Sequence, residues 1–330
     1  MKWKSNLLSS SLPLEFEVSK QLVRAGAIVL NEYPYIRRDA GVEKEFSVDL
    51  HALLLAQHDS GAISPMCALH MLIECKYRNP NVTWLFLPKH PLNVQEPAYP
   101  ASVVRTIDAF SPWFGHHAAL AIDRKLAICV KGVEIDSNTN SVHGSEIKHG
   151  LRQLQFAMPK LIASQVRFYT NIPMLHLPPL LVTPILVTNA PLYVASRRLG
   201  TAMIERVTDP TMLGKRVPFL AVDAGGGPEL ELQAASAFHD LPSLVTTPNY
   251  KILDMQLEAA GVDPWFRPQA VADRAGRGSE WQHEFRRVIV CNTRAVPVCL
   301  KLIKESLITV RDKMSFEPRS NVLASGLTLV

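Results

Sequence analysis

Cysteine pairs of the kind that build disulfide frameworks or zinc sites are missing from this sequence. The chain has 330 residues and only five cysteines, and none of them forms a C-x-x-C pair or a Cys/His cluster with zinc-finger spacing. This spacing argues against a disulfide-rich secreted scaffold and against a structural zinc site. Unpaired thiols are typical of a reducing compartment, so a cytoplasmic location is expected.

Long hydrophobic runs are also missing. The most apolar stretch, "MLHLPPLLVTPILV" at 174–187, contains three prolines and is shorter than the roughly 20 residues that span a bilayer. It therefore predicts a loop that leads into a buried strand. The first residues, "MKWKSNLLSSSLPLEF", lack the apolar core and the small-residue cleavage site of a secretion signal. We expect neither export nor a membrane partner.

Glycine loops of the phosphate-binding kind are absent too. The segment "DAGGG" at 223–227 lacks the lysine and the serine or threonine of a P-loop, and the spacing of a dinucleotide fingerprint, so it predicts a turn. What the chain does have is 47% hydrophobic residues, enough for one large or two ordinary domains. Its 35 basic residues against 30 acidic ones give a net charge of +5, which slightly favours polyanionic partners.

The pattern of apolar residues predicts a mixed α/β fold. A first helix begins at Pro13, a residue that a first helical turn tolerates. Its predicted apolar stripe consists of Phe16, Leu22, Val23 and Ala27. Two β-rich runs around a turn at 39–41 follow, and then a third run, "ALHMLIECKYR". Later segments read as strands at 82–89, 126–135 and 184–196, a helix at 145–164, the strand "RRVIVCN" and the helix "VPVCLKLIKESLITV".

The stretch "MLIECKYR" at 71–78 places an acid and a lysine side by side on a strand. Because side chains alternate along a strand, Glu74 and Lys76 project from one face, while Cys75 points to the opposite, core-facing side. A hairpin with the preceding strand, "EFSVDLHALLL", would bring Asp49 near Glu74. Such oxygen ligands suit Mg²⁺, which takes one or two carboxylates and keeps several waters. A lysine beside them stabilises negative charge on a phosphate.

These residues resemble the PD-(D/E)xK nuclease superfamily, in which an acid on one strand is followed by (D/E)-x-K on the next. Here the acid is Asp49 in "SVDL", and the second motif is Glu74 and Lys76 in "IECKYR". A helical glutamate ahead of the first strand, as in the Mrr-like restriction nucleases, corresponds to Glu17 in "FEVSKQLVRAG". The later helix "LRQLQF" and strand "PILVTNAPLYV" are similar to those that complete the family's core sheet. The resemblance covers residues 13–195.

The resemblance implies a restriction endonuclease-like core, a central mixed β-sheet flanked by helices, over residues 10–195. Residues 196–330 would then be an α/β extension packed on this core, with "RRVIVCN" as a candidate strand of the same sheet. The implied activity is that of a Mg²⁺-dependent deoxyribonuclease in which Mn²⁺ can replace Mg²⁺. The implied partner is nucleic acid, with DNA as the expected substrate.

The resemblance also implies a role for each motif residue. Asp49, Glu74 and the Cys75 backbone carbonyl would hold the ion. Lys76 would position the attacking water and stabilise the charge that grows on the phosphate. Glu17 would support a second ion or orient the water.

Several further residues and one rival function remain open. Glu15 is expected to be an exposed first-turn acid, and it is the alternative candidate for the role given to Glu17. A glutamine in the later helix assists in some subfamilies, and both Gln153 and Gln155 could do so. His51 is expected to be a hydrogen-bonded neighbour of the site. Three arginines are candidate phosphate contacts: Arg37, Arg38 and Arg78. The rival function is that of a catalytically inactive nucleic-acid-binding or scaffolding protein that retains the nuclease fold.

Overall fold

The computed structural model describes residues 2–39, 41–56, 67–89, 103–107, 121–171, 180–259 and 286–312. Its helices are α1 (Lys2–Ser9), α2 (Leu12–Arg24), α3 (Ser145–Asn171), α4 (Thr201–Arg206), α5 (Pro228–Phe238), α6 (Pro248–Ala259) and α7 (Val296–Asp312). Its strands are β1 (Ile28–Val29), β2 (Tyr33–Asp39), β3 (Val42–Val48), β4 (Leu50–Ala56), β5 (Cys67–Lys76), β6 (Val82–Pro88), β7 (Arg105–Ile107), β8 (Ile128–Asp136), β9 (Ser141–His143), β10 (Leu180–Thr188), β11 (Leu192–Ala195), β12 (Gly214–Val217), β13 (Phe219–Asp223) and β14 (Arg287–Asn292). In the described part of the chain, no helix is long and apolar enough to cross a membrane.

Twelve strands form one mixed sheet. Its order is β1-β4-β5-β10-β14-β13-β8-β6-β11-β12, with β7 paired to β10 and β9 paired to β8. Strand β4 runs antiparallel to β5, whereas β10 runs parallel to both β5 and β14. The connection from β4 to β5 lies outside the described residues. The predicted α/β class, with a large mixed sheet flanked by helices, is confirmed.

Both faces of the central strands of this sheet are buried, because helices cover each of them. One face packs against α3 and α5, with Leu72 and Leu186 of the sheet in a cluster that includes Leu154 of α3. The other face packs against α2 and α7, with Met71 and Ile303 in a second cluster. Burial on both faces explains why β5 and β10 read as nearly continuous apolar runs rather than as alternating ones.

Strands from both halves of the chain share this sheet. Strand β14, the predicted "RRVIVCN" strand, pairs in parallel with β10 from Ile185↔Ile289 to Thr188↔Asn292. Strand β13 pairs with β14 on one side and with β8 on the other. Elements that follow residue 196 therefore lie inside the sheet that also contains β4 and β5.

Helix α2 buries a stripe different from the predicted one. Leu14, Val18 and Leu22 are buried, at intervals of four residues along one face. Phe16 is 62% exposed and Val23 is 59% exposed, so their predicted place in the core was wrong. The reason is helical geometry: Phe16 and Val23 project from the face opposite to the buried stripe.

Strand β10 begins at Leu180, earlier than predicted, and continues through Pro184. A proline is unusual inside a sheet, because it cannot donate a backbone hydrogen bond. On one side of β10, the neighbour is β7 up to Val182 and β14 from Ile185 onward. Pro184 lies in the gap between these two partners, where the pairing on that side is interrupted.

Strands β2 and β3 form a separate hairpin, which agrees with the predicted turn at 39–41. Gly41 has a φ of +85°, a conformation that favours glycine. The hairpin packs on α3 through Tyr35 and Val48, which belong to the same buried cluster as Leu154. Its position places the end of β3 beside the end of β5.

Candidate active site at the end of β5

The end of β5 extends beyond its antiparallel partner. The last paired residues of β4 and β5 are Leu50 and Ile73, whereas β5 continues to Lys76 beside β10. Asp49 lies just before β4, beside the part of β5 that β4 does not pair with. Its Oδ2 accepts a hydrogen bond of 2.6 Å from the Cys75 backbone N–H. Asp49 and the Glu74–Lys76 segment therefore meet, as the sequence predicts.

Glu74 and Lys76 form a tight pair on the face of β5 that α3 covers. The Lys76 Nζ donates to Glu74 Oε1 over 2.6 Å and to Gln153 Oε1 over 3.0 Å. Gln153 in turn donates to the Ser47 carbonyl over 3.4 Å. Gln155 donates instead to the Ala224 carbonyl. Of the two candidate glutamines, Gln153 is the one that contacts the lysine.

A glycine of α3 packs closely on the sheet beside this lysine. A Cβ on Gly150 would lie 2.7 Å from Leu186 Cδ1 and 3.4 Å from Lys76 Cε. The first distance is too short for two carbon atoms, so the end of the Leu186 side chain would have to move to admit a larger residue, whereas the second distance is ordinary van der Waals contact. Gly150 therefore lets α3 lie close to Leu186 of the sheet, next to Lys76.

The carboxylates of this site carry more negative charge than their surroundings neutralise. Glu74 is only 1% exposed. Burial and the charge of Asp49 raise the pKa of Glu74 to about 7, against the opposing effect of Lys76. Burial also raises the pKa of Asp49, although the Cys75 N–H and Lys76 act in the other direction. One lysine does not compensate for one buried and one half-buried acid.

Glu15, rather than Glu17, belongs to this cluster. Glu15 is half-buried instead of exposed. Burial and the charge of Asp49 raise the pKa of Glu15 to about 7, with Lys76 opposing the rise. Glu17 is exposed, and its Oε1 accepts a hydrogen bond of 3.4 Å from Gln21 within α2. The two glutamates differ because Glu15 borders the buried stripe of α2, whereas Glu17 projects into solvent.

The three candidate arginines have three different environments. Arg78 forms ion pairs with the buried Glu134 (Nε to Oε2, 2.6 Å) and with Glu146 (Nη2 to Oε2, 2.7 Å). Arg38 donates from Nε to the Gly41 carbonyl over 3.1 Å, at the tip of the hairpin. The Arg37 guanidinium lies 4.0 Å from the centroid of the Phe46 ring.

His51 and Tyr35 are two further residues near the end of β5. His51 Nε2 lies 3.1 Å from His70 Nδ1 in a buried pair, which agrees with its expected place as a hydrogen-bonded neighbour. Tyr35 had no signal in the sequence beyond strand periodicity. Its hydroxyl is buried, and so is Glu74 Oε2, and neither atom has a hydrogen-bond partner among the described residues. Burial raises the pKa of Tyr35, Arg37 opposes the rise, and the nearby charge of Glu74 adds to it.

A divalent cation fits the charge of this site. Within the described ranges, no group of three or more His, Cys, Asp or Glu side chains is arranged to hold a metal. Mg²⁺, however, commonly takes only one or two carboxylates and keeps its waters. Asp49 and Glu74 supply two, and Glu74 Oε2 has no hydrogen-bond partner among the described residues. The Cys75 carbonyl faces the same side as the Cys75 N–H, towards Asp49, because both backbone groups of a strand residue face one neighbour in antiparallel pairing. The Cys75 thiol lies in the opposite core, as predicted.

Comparison with known proteins identified no relative of this chain. No family model, no curated protein and no solved structure matches this chain. A fold class alone does not define an activity. The residues at the end of β5 are therefore the basis for a functional assignment.

Proposed function

We propose that this protein is a metal-dependent nuclease that hydrolyses phosphodiester bonds of DNA. The observation that carries the proposal is the meeting of two carboxylates at the end of β5: half-buried Asp49 on the Cys75 N–H, and buried Glu74 on the Lys76 ammonium. Repulsion between these acids contributes to the raised pKa of Glu74. A bound cation would relieve this repulsion, and perturbed acids of this kind cluster at functional sites.

The order of elements around the site supports the same proposal. A helix (α2) precedes two antiparallel strands, β4 and β5, with Asp49 just before β4 and the E-x-K motif in β5. A second helix, α3, and a strand parallel to β5, β10, then follow. A helix, acid-bearing strands, a further helix and a final strand are the arrangement that the resemblance to PD-(D/E)xK nucleases implies for residues 10–195.

In the proposed mechanism each residue has a separate task. Asp49, Glu74 and the Cys75 carbonyl would hold Mg²⁺, which supplies electrostatic stabilisation of the phosphate when bound. Lys76 would donate to a non-bridging phosphate oxygen and stabilise the charge that grows on it. Gln153 keeps the Lys76 ammonium directed into the site. Glu15, the half-buried α2 carboxylate on which the charges of Asp49 and Lys76 act, would accept a proton from the attacking water.

One observation favours the inactive alternative. Lys76 is already bound to Glu74 and to Gln153, so two of the three N–H donors of its ammonium have partners without any ligand. A nucleic-acid-binding or scaffolding protein that retains the fold would keep this closed ion pair for stability. The two functions differ in what a divalent cation does to the protein.

The decisive experiment compares purified wild type with Lys76→Met. Both are incubated with single- and double-stranded DNA and RNA in the presence of Mg²⁺, Mn²⁺ or EDTA. We expect wild type to cleave DNA only with a divalent ion. Lys76→Met should be slower by on the order of 10²-fold or more, because it loses a preorganised charge at the transition state. Lys301→Met, at an exposed position of α7, is the matched control and should cleave like wild type.

A thermal unfolding series with the same ions separates the two functions. A ligand that binds only the folded state raises the unfolding midpoint, so Mg²⁺ should stabilise wild type but not Asp49→Asn/Glu74→Gln. Equal cleavage by wild type and Lys76→Met would show that the site assignment is wrong. If no protein cleaves and no ion shifts the midpoint, the inactive alternative becomes the better description.

A further inference from the structure

Arg37 is an arginine without an acidic partner beside the site. Its guanidinium lies 4.0 Å from the centroid of the Phe46 ring and 4.8 Å from that of Phe156. Within the described part of the chain it forms no ion pair and no hydrogen bond. Stacking on two rings fixes the planar group before any ligand arrives, which reduces the entropy lost on binding.

The contrast with the other two arginines is direct. Both carboxylate contacts of Arg78 are within 2.7 Å, so its charge is neutralised inside the protein. Arg38 projects from the other face of β2 and bonds to the hairpin turn. Strand alternation therefore directs Arg37, and not Arg38, towards α3.

Arg37 is one member of a group of cationic or proton-binding side chains around Lys76. His149 lies on the exposed side of the first turns of α3. Burial lowers the pKa of His149, and the positive charges of Lys76 and Arg37 lower it further, against the effect of Glu146. Tyr35 is influenced by both Arg37 and Glu74. Geometry places the three on one side of the site: Arg37 lies 4.8 Å from the Phe156 ring, one turn of α3 from Gln153, which binds Lys76. His149 precedes Gly150, whose Cβ position is 3.4 Å from Lys76 Cε.

We propose that Arg37 and His149 bind the phosphate backbone of the substrate strand next to the phosphate that Lys76 contacts, and that Arg38 and Arg78 do not. This inference rests on the proposed nuclease function. It places the substrate strand along the surface between the β2–β3 hairpin and the first turns of α3. Contacts of this kind position a nucleic acid without reading its sequence.

The chemistry of the two side chains suits phosphate. Guanidinium groups match the oxygens of a phosphate in a fork of two N–H donors. A histidine ring supplies one further donor, and its protonation becomes easier once an anion neutralises Arg37 and Lys76. Glu146 is the acidic group of the same helix that faces this area, and Arg78 already binds it. The proposed surface is therefore free of an unpaired acid of α3.

The test measures DNA binding in EDTA, where cleavage cannot interfere. Fluorescence anisotropy of labelled single- and double-stranded oligonucleotides is recorded over a salt series for wild type, Arg37→Met, Arg37→Lys and His149→Gln. Methionine keeps an apolar side chain over the rings and removes the charge, whereas lysine keeps the charge and loses the planar fork. Arg38→Met is the matched control, because it removes the neighbouring arginine from the opposite face of the same strand.

We expect Arg37→Met to weaken binding by about tenfold, as for a hydrogen bond to a charged group, and to reduce the slope of affinity against salt by about one. Arg37→Lys should keep most of the salt slope and lose part of the affinity. His149→Gln should have a smaller effect of the same sign, and Arg38→Met should stay within about twofold of wild type.

Two results would overturn the inference, and they are distinguishable. If Arg37→Met and Arg38→Met bind alike while wild type binds and cleaves DNA, the nuclease proposal stands and the assignment of Arg37 is wrong. If wild type binds neither DNA nor RNA at low salt, both proposals are wrong. A circular-dichroism melt of Arg37→Met, compared with Arg37→Lys, shows whether any loss of binding comes from unfolding.

Discussion

Two clusters of buried charge lie at strand ends of the same sheet, and they are built in opposite ways. At the end of β5, Lys76 binds Glu74, and its charge also acts on Asp49 and Glu15. At the end of β13, the single acid Asp223 binds Lys89 (Oδ2 to Nζ, 2.7 Å) and Arg286 (Oδ1 to Nε, 3.2 Å).

The two clusters shift carboxyl pKa values in opposite directions. Burial alone would raise the pKa of Asp223, but the hydrogen bond from Lys89 and the charges of Arg286 and Arg287 outweigh it, and the pKa is lowered. At the β5 cluster, burial and repulsion raise the pKa of Glu74 to about 7. Burial is common to both clusters, so the number of nearby cations decides the difference. Among the described residues, two cations bind the one acid of the Asp223 cluster, whereas one cation, Lys76, binds an acid of the β5 cluster.

The largest expected effect comes from replacing one acid in each cluster: one replacement should reduce cleavage, and the other should reduce stability. Asp49→Asn should reduce metal-dependent cleavage by on the order of 10²-fold or more and leave the unfolding free energy nearly unchanged, because asparagine can still accept the Cys75 N–H. Asp223→Asn should leave cleavage intact and lower the unfolding free energy by about 2 kcal/mol. This is less than for a fully buried pair, since Lys89 and Arg286 are 21% and 39% exposed.

Cleavage rates and urea unfolding midpoints of Asp49→Asn and Asp223→Asn test this contrast between lost activity and lost stability. Wild type and the conservative variant Asp223→Glu serve as references. A large loss of stability in Asp49→Asn, or a large loss of activity in a folded Asp223→Asn, would remove the distinction between a functional and a structural cluster.

The next effect is a pH dependence of opposite sign at the two clusters. The Glu74 carboxyl has an ordinary pKa of 4.5 and a pKa of about 7 in the folded protein, so the folded state holds the extra proton between these values. Its contribution to stability is therefore largest below pH 4.5 and falls as the pH rises towards 7, by about 1 to 3 kcal/mol. Asp223 contributes stability above its ordinary pKa of 3.8 and loses it as the pH falls through its lowered value.

A variant of Glu74 is needed to separate its contribution to the unfolding free energy from that of the histidines, which titrate in the same pH range. Burial, together with the charge of His51, lowers the pKa of His70 to about 4, and its contribution is lost as the pH falls from 6.5 to 4, which opposes that of Glu74. The difference in unfolding free energy between wild type and Glu74→Gln removes this background. We expect Glu74→Gln to match wild type near pH 4.5 and to exceed it near pH 8. An equal difference at both pH values would contradict the raised pKa.

The smallest expected effect separates the two glutamates of α2. Glu15→Gln should slow cleavage by about tenfold or more, because it removes an acid of the site whose pKa suits proton transfer. Glu17→Gln should change the rate by less than about twofold, as for an exposed surface substitution. Steady-state rates over a pH series provide the test, and a reversed ranking would restore Glu17 to the role that the motif suggests.

Sequence patterns predicted the elements well wherever one local rule applied. The β5 strand, the β2–β3 turn and the helix of Gln153 follow from side-chain periodicity and turn residues. The stripe of α2 was misplaced because Phe16 and Val23 are apolar but exposed, and apolarity alone does not state which face meets the sheet. The start of β10 was missed because Pro184 is a strand breaker unless the neighbouring strand changes at that residue.

The sequence by itself determined that Glu74 and Lys76 share one face of a strand and that Cys75 points away from them. Alternation along a strand is a local property, and it needs no knowledge of the rest of the chain. Only the tertiary structure decided which glutamate of α2 borders Asp49, which glutamine binds Lys76 and which arginine is left without an acid. Each of these choices depends on a partner far along the chain: Gln153 is 77 residues from Lys76. Their meeting is set by how α3 and the hairpin pack on the sheet, which no local pattern encodes.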